Sequence, residues 1–155
     1  MIRCGRIPPD AGVRDVVATW SYAEWRDSFP ADTPDTYLRI FAESDESDEE
    51  LPFVYVAWLN DEVVGTASLV SDDELPDATE PGPWLAALFV HPEARRRGVA
   101  NALLEHVEGE AARLGVASLF LYTHDQREWY ARHDWAHVRV GALGHHRVDV
   151  MRKDF

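Results

Sequence analysis

The chain has 155 residues, 46% hydrophobic and 28% charged, with six tryptophans and a formal net charge of −13. That length suits a single domain spanning 1–155 with a real core, and the composition argues against disorder. With 28 acidic against 15 basic side chains, the overall field repels phosphate backbones, so cationic molecules are expected as partners and nucleic acid is not.

The opening "MIRCGRIPPDAG" lacks the apolar core of a signal peptide, and no apolar run nears the roughly 18 residues of a membrane span. A soluble, cytoplasmic protein without membrane association is expected. The single cysteine, Cys4, excludes an internal disulfide, and no Cys/His spacing suits structural zinc, so no metal is expected.

Ile2 to Ile7 reads as an edge strand ended by Pro8 and Pro9. From Asp10 to about Asp27, Val13, Val16, Val17, Trp20 and Ala23 recur at helical spacing. A second helix is predicted from Thr33 to about Ala42, with Thr33 as cap, Pro34 in the first turn, and Tyr37, Leu38 and Phe41 on one side. "ESDESDEE" (43–50) then offers almost nothing to bury and reads as a solvated loop, or as a field drawing in a cationic substrate.

"FVYVAWL" (53–59) and "VVGTASLV" (63–70) are β-rich runs joined as a hairpin. The polar stretch 71–83 separates them from the strand "WLAALFVH" (84–91). Ala100, Leu103, Leu104, Val107, Ala111 and Leu114 form the strongest helical series, with Gly115 placed to end it. A strand at 116–123, a short helix at 125–133 and strands at 136–143 and 146–155 complete the chain. This order predicts an α/β (α+β) fold with a mixed, mostly antiparallel sheet, parallel at its central strand-helix-strand unit and flanked by helices.

"HPEARRRGVANALL" (91–104) sets three arginines before the first turn of that strongest helix. Cations there oppose the helix dipole, at about a few tenths of a kcal/mol each. A bound anion would relieve the conflict, held by backbone N–H groups from about Arg96 to Asn101, while Gly98 and small Ala100 leave room for its approach. A Walker pattern and a three-glycine dinucleotide fingerprint are both absent, which argues against ATP, GTP and NAD.

The run Arg95-Arg96-Arg97-Gly98-Val99-Ala100 resembles the Arg/Gln-x-x-Gly-x-Gly/Ala pyrophosphate loop of the GNAT superfamily of N-acetyltransferases, and "LFVHPEARRRG" is similar to the strand and loop leading into it. The resemblance implies acetyl-CoA as acyl donor, contacted by Arg95, Arg96, Arg97, Gly98, Val99, Ala100 and Asn101. It also implies a splayed fourth strand in which the backbone of Leu88, Phe89 and Val90 pairs with pantetheine. Tyr130, in "THDQREWYARHDW", stands where the family places its general acid, and the residues alone leave a core role beside Trp129 and Trp135 equally open. Thr123 occupies a contact position where many members have Asn, and Asp134-Trp135 replaces the usual Gly-Phe.

The strand "WLAALFV" carries no carboxylate, which leaves Asp72, Asp73, Glu74 or His124 as candidate bases, or as ordinary loop residues. The resemblance implies acetyl transfer to a primary amine of a small molecule, polyamine or peptide N-terminus, and Cys4, poorly placed as an acyl carrier, favours direct transfer. The alternative is a non-catalytic acyl-CoA-binding sensor or interaction domain. A monomer or homodimer is expected.

Overall fold

The computed structural model describes residues 1–155. In chain order the elements are β1 (Ile2–Arg6), α1 (Ala11–Trp25), α2 (Pro34–Ser44), β2 (Phe53–Leu59), β3 (Glu62–Val70), β4 (Trp84–Val90), α3 (Val99–Arg113), β5 (Ser118–Thr123), α4 (Arg127–Ala131), β6 (Ala136–Leu143) and β7 (His146–Asp154). The seven strands form one sheet in the order β1-β2-β3-β4-β5-β7-β6, antiparallel throughout except between β4 and β5.

The uninterrupted apolar run of β2 follows from burial on both faces. Phe53, Tyr55 and Ala57 face the core under α3, built around Leu103, Leu104, Val107 and Ala111. Val54 and Val56 face α1 and α2 through Val17, Ala18 and Phe41. Each large side chain so buried contributes about 1.5–3 kcal/mol. Gly65 allows α3 to sit this close to β3: a Cβ there would lie 2.9 Å from Leu103 Cδ1 and 3.0 Å from the Phe89 carbonyl oxygen.

The β2–β3 hairpin closes through Asn60 and Asp61, both at positive φ, with Leu59 paired to Glu62. A two-residue turn of that kind matches the twist of the strands it joins. On α1, Asp10 caps the first turn through Val13 N–H, but Val16 faces solvent rather than the core. The α2 cap is reciprocal, Thr36 Oγ1 accepting from the Thr33 N–H.

The acidic run differs from a free loop. Helix α2 continues through Ser44, whose hydroxyl is buried and accepts from Val54 N–H, and Arg6 donates to the Ser44 carbonyl. Arg14 grips both oxygens of Asp45 at 2.8 Å. These arginines come from 31 and 38 residues away, so the local composition could not announce them.

Strands β4 and β5 meet at one pair, Trp84 with Phe120. Beyond it they part, because β4 takes three residues from Ala86 to Phe89 where β3 takes two from Ser68 to Thr66, with Ala87 at φ 56°. The extra residue bends β4 away from its parallel neighbour. A V-shaped opening results in the middle of the sheet.

Candidate active site

The opening widens into a cleft of about 1060 Å³. That is the upper end for a ligand site, with room for two reactants side by side. Leu88, Phe89 and Val90 line one wall, and Thr123 and Tyr130 the other. Past Trp84, the β4 edge facing β5 has no ladder partner, so its peptide groups are available to an extended ligand.

At the wide end, β4 passes through a 3-10 turn (Pro92–Ala94) into α3, whose first backbone bond is Ala102 N–H to the Gly98 carbonyl. The six preceding N–H groups, Arg96 to Asn101, donate to nothing in the chain. No acidic residue stands in the first turn and no side chain caps it. Gly98 is the N-cap at φ 83°, a left-handed conformation that favours glycine, and Arg96 also has positive φ. Unpaired N–H groups on a left-handed turn that leads into a helix, an arrangement known as a nest, are suited to an anion.

The three arginines are not equivalent. Arg95 donates through Nε to the Val90 carbonyl at 3.0 Å, bracing the loop against the end of β4. Arg96 is exposed and lines the cleft beside Gly98, Val99, Ala100 and Asn101; Arg97 is exposed and lies outside the lining. Val99 is fixed in the core, so the first turn cannot rotate freely.

Tyr130 is 6% exposed, packed against Trp129 and Trp135, and its hydroxyl has no partner in the chain. Burial raises its pKa above the ordinary phenol value, so the hydroxyl keeps its proton and can donate a hydrogen bond in the cleft. Thr123 Oγ1 accepts from Gln126 N–H at 3.1 Å, shaping the turn from β5 into α4. Asp134 takes positive φ (70°) at the end of that helix, so it supplies the left-handed turn without a glycine.

The cleft lining is also rich in carboxylates, and those that follow β3 lie beside Trp84, at the far end of β4 from the nest. Glu24 of α1, Asp32 between α1 and α2, Glu43 of α2, and Asp72, Asp73 and Glu74 after β3 all line the cleft. These groups, dispersed over the first half of the chain, converge only in the fold. His124 also lines the cleft, edge-on to His146 at 5.3 Å; partial burial and that neighbour lower its pKa. No group of three or more His, Cys, Asp or Glu has a metal-holding arrangement, and no helix is long and apolar enough to cross a membrane.

No curated protein matches the chain by sequence. Among solved structures, it is similar to an aminoglycoside 6'-N-acetyltransferase complexed with coenzyme A, at 16% identity and a TM-score of 0.74, over 98% of this chain and 96% of that one. The aminoglycoside 6'-N-acetyltransferase from Enterococcus faecium gives 16% identity and a TM-score of 0.71 over the same shares. A GNAT-family acetyltransferase from Staphylococcus aureus gives 13% and 0.71 over 99% of both chains. At such identities the likeness is one of fold. The sequence pattern of the acetyltransferase (GNAT) family matches residues 17–135, which include β4, α3, β5 and α4, and the chain belongs to that family.

Proposed function

We propose that the protein transfers an acetyl group from acetyl-CoA directly to a primary amine of a cationic acceptor: a small molecule, a polyamine or a peptide N-terminus. The observation that carries this reading is the two-signed cleft. One end offers six free backbone N–H groups and Arg96 for a pyrophosphate, and the other offers carboxylates for ammonium groups.

Acetyl-CoA brings an activated thioester whose carbonyl an amine can attack. The chain holds the donor through Arg96 and the N–H groups up to Asn101, with Gly98 supplying the backbone turn and Val99 and Ala100 the close-fitting first helical turn. Arg95 also lines the cleft while bracing the loop on the Val90 carbonyl, and Arg97 adds long-range positive charge. The free backbone edge at Leu88, Phe89 and Val90 aligns the pantetheine arm and hydrogen-bonds the thioester carbonyl. Tyr130 gives its proton to the departing sulfur, and Thr123 shapes the turn that presents it.

The test is release of the CoA thiol from acetyl-CoA across a panel of amines, from monoamines through polyamines to peptides. Turnover that increases with the number of ammonium groups is expected. Acetyl-CoA binding without turnover on any of them would overturn the reading and leave a sensor domain.

A further inference from the structure

We propose that Asp73 is the general base that takes the proton from the ammonium form of the acceptor, an inference that rests on the amine-acetyltransferase reading above. Three carboxylates leave β3 in succession, and their surroundings separate them. Asp72 Oδ1 accepts from Glu74 N–H at 2.9 Å, so it is occupied in closing the turn. Glu74 sits at φ 56° and is exposed. The Asp73 carboxylate lines the cleft, is half-buried, and has no hydrogen bond or ion pair in the chain.

Its backbone is held on both sides. The Tyr122 hydroxyl donates to the Asp73 carbonyl at 3.0 Å, and Leu75 is buried with Trp84, Phe120 and Leu143. Tyr122 is the next residue but one after Phe120, the single point where β5 meets β4, and its ring stands edge-on to Trp84 at 6.2 Å. Asp73 is therefore fixed near the apex of the V. The anion nest lies at the other end of β4, about 20 Å away by strand rise. An acyl donor stretched along β4 from that nest directs its reactive end toward Asp73.

The titratable groups facing Asp73 are Asp72 and Glu74 of its own turn, Tyr37 of α2 and Tyr122 of β5. Burial, then Glu74 and Asp72, raise the Asp73 pKa well above the usual carboxylate range, and no arginine opposes them. Such a carboxylate holds a proton more readily than an ordinary one.

The step balances. Asp73 takes one proton from the ammonium and becomes neutral, and the freed nitrogen lone pair forms the C–N bond. The C–S bond then breaks, its electron pair leaves on sulfur, and Tyr130 protonates the thiolate. The second nitrogen proton returns through water to the Tyr130 oxygen, and Asp73 releases its proton to solvent. The products are amide, CoA thiol and one proton.

The experiment follows kcat/KM against pH for the wild type, Asp73→Asn, Asp72→Asn and His124→Gln, with carboxyl carbon NMR titration of the aspartates as a readout independent of turnover. In Asp73→Asn we expect a loss on the order of a hundredfold, disappearance of the acid limb, unchanged acetyl-CoA affinity, and loss of one aspartate resonance that titrates above the others. Asp72→Asn and His124→Gln keep the acid limb. An acid limb and raised resonance that persist in Asp73→Asn, or an acid limb removed by Asp72→Asn or His124→Gln, would overturn the assignment while leaving the transferase intact. No turnover by the wild type would overturn both readings before any variant is compared.

Discussion

His133 Nε2 and Asn101 Oδ1 lie 2.8 Å apart, within hydrogen-bond distance. The other ring nitrogen, Nδ1, donates to the Trp129 carbonyl at 2.8 Å, and the His133 carbonyl accepts from Lys153 Nζ at 3.0 Å. Since Asn101 lies in the first turn of α3 and His133 just past α4, this side chain connects the anion nest to the helix carrying Tyr130. Under the proposed function, His133 would be a positioning residue that sets where Tyr130 stands relative to a donor bound at α3.

Replacing His133 with Ala should lower kcat by up to about tenfold, the scale of a single hydrogen bond. The acetyl-CoA KM should move much less, because the N–H groups of α3 remain. His133→Gln, which can still reach Asn101, should recover part of the loss. An equal fall in thermal stability for both variants with kcat unchanged would show a purely structural bond.

Tyr130→Phe removes the phenol hydroxyl and leaves the ring packing on Trp129 and Trp135 intact. We expect turnover to fall roughly ten- to a thousandfold, with acetyl-CoA affinity unchanged. Because the hydroxyl has no partner in the chain, little stability should be lost with it. Calorimetric binding alongside steady-state rates separates these effects; undiminished turnover would return Tyr130 to a core role.

Gly98→Ala tests the conformation of the nest rather than its space. A Cβ there would meet only Ile2 Cδ1, at 3.9 Å, yet φ 83° is a conformation that costs a non-glycine residue about 1–2 kcal/mol. Thermal stability should fall by that order and acetyl-CoA affinity should weaken with it. Gly98→Asn, better tolerated at positive φ, should do less harm on both measures.

The wide end of the cleft was legible in the sequence because its cause is local: the arginines, Gly98 and the first turn of α3 are consecutive, and their conflict with the helix dipole appears without a fold. The same holds for α3 itself, whose buried face is the periodic one. The acidic end was not legible as a whole. Asp72, Asp73 and Glu74 could be named, but the backbone of Asp73 is held by a hydroxyl 49 residues away on Tyr122, and Asp32 arrives from the connection between α1 and α2. The link through His133 was equally hidden, since it spans 32 residues. Val16 fits the apolar period of α1 but lies at its margin, where the core beneath has already ended.

The carboxylate-bearing segment after β3 depends on a distant anchor, and this gives a prediction with a defined pH sign. Arg139 of β6 donates through Nε and Nη2 to both oxygens of Glu80, each at 2.8 Å, and Asp77 accepts from Ala142 N–H at 3.2 Å. The guanidinium holds the Glu80 carboxyl down to about 2, from an ordinary 4.5. A depressed folded-state pKa means that the stabilisation is fully present above about 4.5 and is lost as pH falls toward about 2. The difference in melting temperature between wild type and Arg139→Ala should therefore be largest above pH 5 and shrink steadily below it; a difference independent of pH would show that Arg139 acts through packing alone. Freed from β6, the segment should also hold Asp72 to Glu74 less well. The amine KM should then rise several-fold while the acetyl-CoA KM stays constant, because the nest at α3 shares no residue with this anchor.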